Sequence, residues 1–450
     1  MTSVCIDLVE LGPGRTGDGP VTIAGLRAIL RDRLPVLPSF RWRLERVPFG
    51  IHHPVWIEDP DFDLDYHIRR TDLAAPGGPD ELDALVAGLL PELLDLRHPL
   101  WQILLIDGLA GGGQALVFRF HHSIADGAAL ITTLDRLFSP VADDVTDGWQ
   151  PEEPRPTRLL ARSLREQARN WAEVPRLLRT TLARFKAVEQ RREEAEAAVP
   201  RAMADAPASV LNDSYTADRA YARLVLTTAE LQRVKAAAGC TLNDVVLAVV
   251  AGGLRSYLTE RGTLPERALV ANVPVANEPP GAPPRQHGNR FANFFTTLAT
   301  DIDDPVERLA AIAAGTIEAK LQLDLQGRDT FPAWLDRLPP AIAEPAARAM
   351  ARRSRRREDA ADFNVLVSNV RVTAPAWAVD GHRVERIFMS GPVADGAGLN
   401  VTITGYGTDL HIALVANAQA VEDPDALADA MVAALDELVA ARPSEPAEVS

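Results

Sequence analysis

Residues Ala115 to Phe138, ALVFRFHHSIADGAALITTLDRLF, pass from a two-residue hydrophobic repeat to a helical one across a short polar turn. Leu116, Phe118, Phe120 and His122 share one parity, and Val117, Arg119 and His121 share the other. This predicts a buried strand, Ala115 to His122, with the two histidines pointing to opposite faces. Leu130, Leu134, Leu137 and Phe138 then line one side of a helix, with Asp126 where its N-cap should sit. The stretch commits the chain to sheet and helix together, and both halves of the sequence mix the two in a similar style.

At 450 residues the chain exceeds what one compact core usually holds, and 47% hydrophobic residues suffice for two. The expected division is a first domain over 1–145, a linker with a long helix over 146–214, and a second domain over 215–450. A net charge of −15 excludes a general nucleic-acid binder. Cys5 and Cys240 are too few for a disulfide framework and lack zinc spacing, which suits a reducing cytoplasm. The N-terminus has no basic region followed by a long apolar run, so no signal peptide is expected. Apolar runs such as Val245 to Val250 are far too short to span a bilayer, which limits membrane contact to the periphery.

Hydrophobic spacing predicts strands at Phe62 to Ile68 and Trp101 to Asp107, and a helix over Asp80 to Leu94 interrupted at Pro91. A long Arg- and Leu-rich helix follows over Leu159 to Ala198, kinked or divided at Pro175. The second half opens with strand Tyr221 to Leu226, and the apolar helix Val245 to Leu258 comes after Asn243-Asp244. The basic stretches Leu159 to Lys186 and Arg348 to Arg357 read first as solvated helix faces and second as lipid contacts.

A histidine between a strand and a helix is well placed for general base catalysis, worth about 10²–10⁴-fold in rate. Asp126 can hold the loop by capping amides or pairing with an arginine, and Gly127 permits close backbone approach. The plain alternatives are a hydrogen-bonded structural histidine and an Asp-Gly turn. A metal site is not expected, because adjacent strand residues face apart and no HExxH pattern or third ligand accompanies them.

His121-His122-Ser123-Ile124-Ala125-Asp126-Gly127 resembles the HHxxxDG motif of the CoA-dependent acyltransferase superfamily. Pro99-Leu100-Trp101, Asn243-Asp244, NVPVAN at 272–277, Gly288-Asn289 and FNVLVSNV at 363–370 narrow the resemblance to the bacterial wax ester synthase/diacylglycerol acyltransferase family. The match runs from about Cys5 to Leu438. It implies an α/β fold of two chloramphenicol-acetyltransferase-like domains, with mixed sheets flanked by helices and an active-site tunnel at their interface. It also implies an O-acyltransferase that moves a long-chain acyl group from acyl-CoA to a fatty alcohol or to diacylglycerol. His122 would be the base, with His121, Asp126, Gly127, Asn243 and Asp244 supporting. Asn243 would either stabilise an oxyanion or cap the helix that follows it. Acyl-CoA would be a co-substrate and no cofactor is implied. The expected setting is the cytoplasm, peripherally on the inner membrane face or on lipid droplets.

Three departures from the family stand out. Its N-terminal stretch, with Ser-Pro and an Asp, precedes a first strand near which this sequence already begins. Arg371 replaces the Pro-Gly after SNV, and His98 stands where Arg is expected. The first two keep open a weakly catalytic acyl-lipid-binding protein, and a separate alternative is an acyltransferase using carrier-bound or polyketide-type acyl groups.

Overall fold

A computed structural model describes residues 4–12, 19–138, 155–201, 204–212, 216–354, 360–372, 377–393 and 396–441. Strand-forming residues gather into two six-stranded mixed sheets. The first runs, in spatial order, Ala378–Val379, His382–Met389, Val4–Leu11, Gln114–His121, Trp101–Asp107 and Ile68–Asp72. Only its last pair is parallel. The second runs Phe291–Thr297, Val270–Ala276, Val365–Arg371, Leu399–Tyr406, Asp409–Asn417 and Arg219–Thr227. Val365–Arg371 is parallel to both of its neighbours there.

Alternation along Gln114–His121 decides what covers each face of the first sheet. Leu116, Phe118 and Phe120 pack with Leu26 and Leu30 of helix Ile23–Arg33 and with Leu130 and Leu134 of helix Gly127–Phe138. Ala115 and Val117 face the other way. They join Leu82 and Val86 of helix Pro79–Leu89, and Tyr221, Ala413 and Val415 from the second sheet. The two sheets therefore share a core. Arg223 of the second sheet, its side chain 8% exposed, fastens it, ion-paired to Glu10 of the first sheet and, at 2.6 Å, to Asp83.

Helix Leu242–Glu260 is the centre of the second core. It packs on the closing helix Pro424–Ala440, and a Cβ on Gly252 would stand 2.7 Å from that of Ala434. Only glycine allows the two backbones so close.

Some expectations need correction. Segment 378–389 lies inside the expected second domain yet completes the first sheet, so the sheets do not follow a cut at 215. Leu64–His67 is a single helical turn capped by Asp63, whose carboxylate accepts from Asp65 N at 2.9 Å, and the strand starts only at Ile68. Helix Pro79–Leu89 stops before Pro91. Pro175 leaves helix Pro156–Glu194 undivided. The linker segment 139–154 and Arg355 to Arg357 of the basic run lie outside the described residues.

Candidate active site

The Pro99-Leu100-Trp101 stretch sets the end of the motif strand. Trp101 is sandwiched between Phe40, at 4.4 Å between ring centroids, and His67, at 4.2 Å. Its indole donates to the Phe40 carbonyl at 2.8 Å, and its own carbonyl accepts from His67 Nδ1 at 2.7 Å. Leu100 O, fixed by this column, accepts from His121 N at 2.9 Å. The strand ends there, at His121, so His122 sits in the turn rather than in the strand. Turn geometry, not strand parity, therefore aims its ring.

The two histidines are held differently. His121 Nδ1 accepts the backbone N–H of Ser123 at 3.2 Å and lies 2.8 Å from Ser123 Oγ. A backbone N–H can only donate, so the proton of neutral His121 is on Nε2. His122 makes an edge contact with Phe291, ring centroids 6.2 Å apart. Burial lowers its pKa below the ordinary histidine value. The charge of Asp126, a bond to its own carbonyl and one to the Asn289 side chain oppose that shift. His122 is thus biased toward the neutral, proton-accepting form.

A loop from the second half clamps the turn. Gly288 N donates to Ile124 O at 2.5 Å, Asp126 N donates to Gly288 O at 3.2 Å, and Ala125 and Gly288 form a parallel bridge. Asn289 Nδ2 donates to the His122 carbonyl at 2.9 Å. Asp126 is the hub. Its Oδ1 caps the motif helix by accepting from Ala129 N at 3.0 Å. Its Oδ2 accepts from Arg285 Nη2 at 2.7 Å and from Arg290 N at 2.6 Å. Arg285 is held in turn by Glu278 at 2.8 Å and by His287 O at 2.8 Å. A Cβ on Gly127 would stand 2.8 Å from Val370 Cγ2, so the start of the motif helix touches strand Val365–Arg371 directly.

Among the described residues, the hydrogen bonds of Asp244 run elsewhere than to this cluster. Asp244, buried, accepts from Thr241 N at 2.8 Å, from Thr241 Oγ1 at 2.7 Å and from Thr316 Oγ1 at 2.6 Å. Its carboxylate ties the start of helix Leu242–Glu260 to helix Pro305–Gln326 inside the second half. The N-cap is Thr241, not Asn243, which occupies the first turn. The residues that do reach the turn are Arg285, Gly288, Asn289 and Arg290, with Glu278 behind Arg285. Gly288-Asn289 stood out in the sequence. The charged partners lie in a Pro-rich loop with no periodicity to reveal them.

Two α/β halves that share an interface are the fold of solved wax ester synthase/diacylglycerol acyltransferase and condensation-domain structures. The first condensation domain of the calcium-dependent antibiotic synthetase aligns with a TM-score of 0.61 at 18% identity, over 98% of this chain and 93% of that one. The wax ester synthase/diacylglycerol acyltransferase of Marinobacter aquaeolei VT8 aligns with a TM-score of 0.65 at 26% identity, over 97% and 94%. Residues 6–246 match the wax ester synthase/diacylglycerol acyltransferase catalytic domain, and 287–439 match the C-terminal domain of the same enzymes. Two Mycobacterium tuberculosis relatives, each provisionally named a diacylglycerol O-acyltransferase, are 34% identical (92% of this chain, 88% of theirs) and 30% identical (96% and 90%). The chain belongs to the wax ester synthase/diacylglycerol acyltransferase family, and it is an acyltransferase.

Proposed function

We propose that this chain transfers a long-chain acyl group from acyl-CoA to the hydroxyl of a fatty alcohol or of diacylglycerol, with His122 as general base. The observation that carries the reading is the half-buried His122 ring, biased to its neutral form and fixed at its backbone by Asn289 from the other half. The unprotonated ring nitrogen takes the proton of the acceptor hydroxyl as its oxygen attacks the thioester carbonyl. The tetrahedral intermediate collapses with cleavage of the C–S bond. The imidazolium returns the proton to the departing thiolate, which leaves as CoA–SH beside the new ester. His121 and Asp126 shape the turn, and neither needs to exchange a proton. Both acceptors are lipids, so the enzyme works at a lipid surface, either the inner membrane face or a lipid droplet. Among the described residues no single helix is long and apolar enough to cross a membrane.

Labelled palmitoyl-CoA with hexadecanol or dioleoylglycerol tests the chemistry. His122→Ala should lower kcat by about 10²–10⁴-fold with little change in KM. Equal turnover by the variant rules His122 out as the base. Because the histidine must be neutral, kcat/KM should fall along an acid limb centred below about pH 6.5, the ordinary histidine value, and hold level above it. A limb centred above pH 7 contradicts the assignment.

A further inference from the structure

Helix Pro156–Glu194 turns Leu159, Ser163, Thr181 and Val188 toward the protein body. Its outer side is also apolar. Leu164, Trp171, Leu178 and Phe185, spaced by seven residues, are 55%, 53%, 47% and 49% exposed, and Leu182 is 62% exposed. Seven residues is nearly two turns, so these side chains form one stripe. Contiguous apolar surface of this kind marks an interaction site. The stripe is rimmed with arginine. Residues 156–186 hold eight Arg and Lys against two Glu, in a chain of net charge −15.

Two neighbouring elements extend the face. Helix Thr330–Arg337 lies alongside, with Gln167 Nε2 donating to Arg337 O at 3.1 Å and Trp334 Nε1 to Thr181 Oγ1 at 3.0 Å. It exposes Phe331 and Leu335. A hairpin of Trp42–Glu45 and Val55–Glu58 reaches the same place, His52 lying 3.5 Å from Glu166 and His53 Nε2 3.1 Å from Leu335 O. In its connecting loop Phe49 is 88% exposed at a φ of +61°, a region bulky residues rarely occupy. At the hairpin's base the ring of Trp42 meets that of His287, 4.8 Å away, in the loop that clamps Asp126.

We propose that this three-element face seats the enzyme on an anionic lipid bilayer. The proposal deepens the lipid-surface reading above by assigning the surface and its charge preference. Apolar side chains enter the headgroup boundary, the flanking arginines meet anionic headgroups, and the acidic remainder of the chain is repelled, which fixes one orientation. A second copy of the helix would cover a heptad stripe. It would set like-charged arginine rows against each other, however, and would leave Phe49 and Phe331 uncovered.

Flotation with phosphatidylglycerol and phosphatidylcholine vesicles at low salt tests this on the full chain. The wild type should float with the anionic vesicles only. Trp171→Ser/Leu178→Ser/Phe185→Ser should stay at the bottom. As a second variant with the apolar stripe intact, Arg165→Glu/Arg176→Glu/Arg179→Glu should bind more than about a hundredfold more weakly. Both should keep the circular dichroism and the wild-type rate on a short-chain acceptor in solution. That rate separates failure of the surface from failure of the acyltransferase reading. Wild type that stays at the bottom, variants that float equally, or a wild-type dimer that the Ser variant converts to monomer would overturn the proposal.

Discussion

The Asp126–Arg285 pair is the point at which the two halves hold the catalytic turn, and its worth can be worked out. The side chains are 9% and 18% exposed, so solvent screening is weak. Arg285→Met removes the charge-assisted bond to Asp126, together with those to Glu278 and the His287 carbonyl, but leaves the Asp126 carboxylate two backbone donors, Arg290 N and Ala129 N. The expected cost is about 1.5–3 kcal/mol. Asp126→Ala removes all three bonds, and the lost helix cap alone costs about 1 kcal/mol. Arg285 keeps Glu278 in that variant. The total should therefore stay near the lower end of the roughly 3–5 kcal/mol seen when buried pairs are broken. If the two residues act as one latch, the double variant should fall short of the sum by about 1–3 kcal/mol. Urea unfolding of the four proteins measures this, followed by both fluorescence and residual activity, because two halves need not melt together. In kinetics both single variants should lower kcat more than they raise KM, since they loosen the loop that holds the His122 carbonyl. Costs that add within about 0.5 kcal/mol, or a kcat left at wild type, would refute the latch.

Two further outcomes follow from local geometry. Gly127→Ala drives a methyl group onto Val370 Cγ2 and should cost about 1–3 kcal/mol, with part regained in Gly127→Ala/Val370→Ala; no regain would mean the clash is relieved elsewhere. Burial pushes His67 down to about 4, so above pH 6.5 both the folded and unfolded forms are neutral there. As pH falls the unfolded chain takes the proton first, and about 3 kcal/mol of stability should be lost between pH 6.5 and 4. His67→Gln should flatten that slope, as read from unfolding midpoints across the range; an unchanged slope would exonerate His67.

Legibility in the sequence followed the range of the signal. Gln114–His121 and helix Gly127–Phe138 were readable because their periodicity is local, and Asp126 was readable as a cap because it lies three residues from the amide it holds. The strand's last residue was not, since Leu100 O and the Ser123 turn stop it at His121. Only the family resemblance placed Asn243-Asp244 at the site. Burial instead assigns Asp244 to Thr241 and Thr316, and no local pattern shows that. Arg285 lies 159 positions from Asp126 in a loop without repeat, so only the folded chain brings the pair together. For the same reason no local pattern shows that strand His382–Met389 joins the first sheet.

That strand also bears on how the chain can be made. Val4–Leu11 needs it on one side and Gln114–His121 on the other, so the first half emerges from synthesis with an open, apolar strand edge that nothing nearby can close. Such an edge is a template for pairing between chains. The first half must wait, unfinished, until residue 389 is available. Expressing the halves separately, cut in the long-helix region, should yield an aggregating N-terminal piece that becomes soluble when the C-terminal piece is made alongside it.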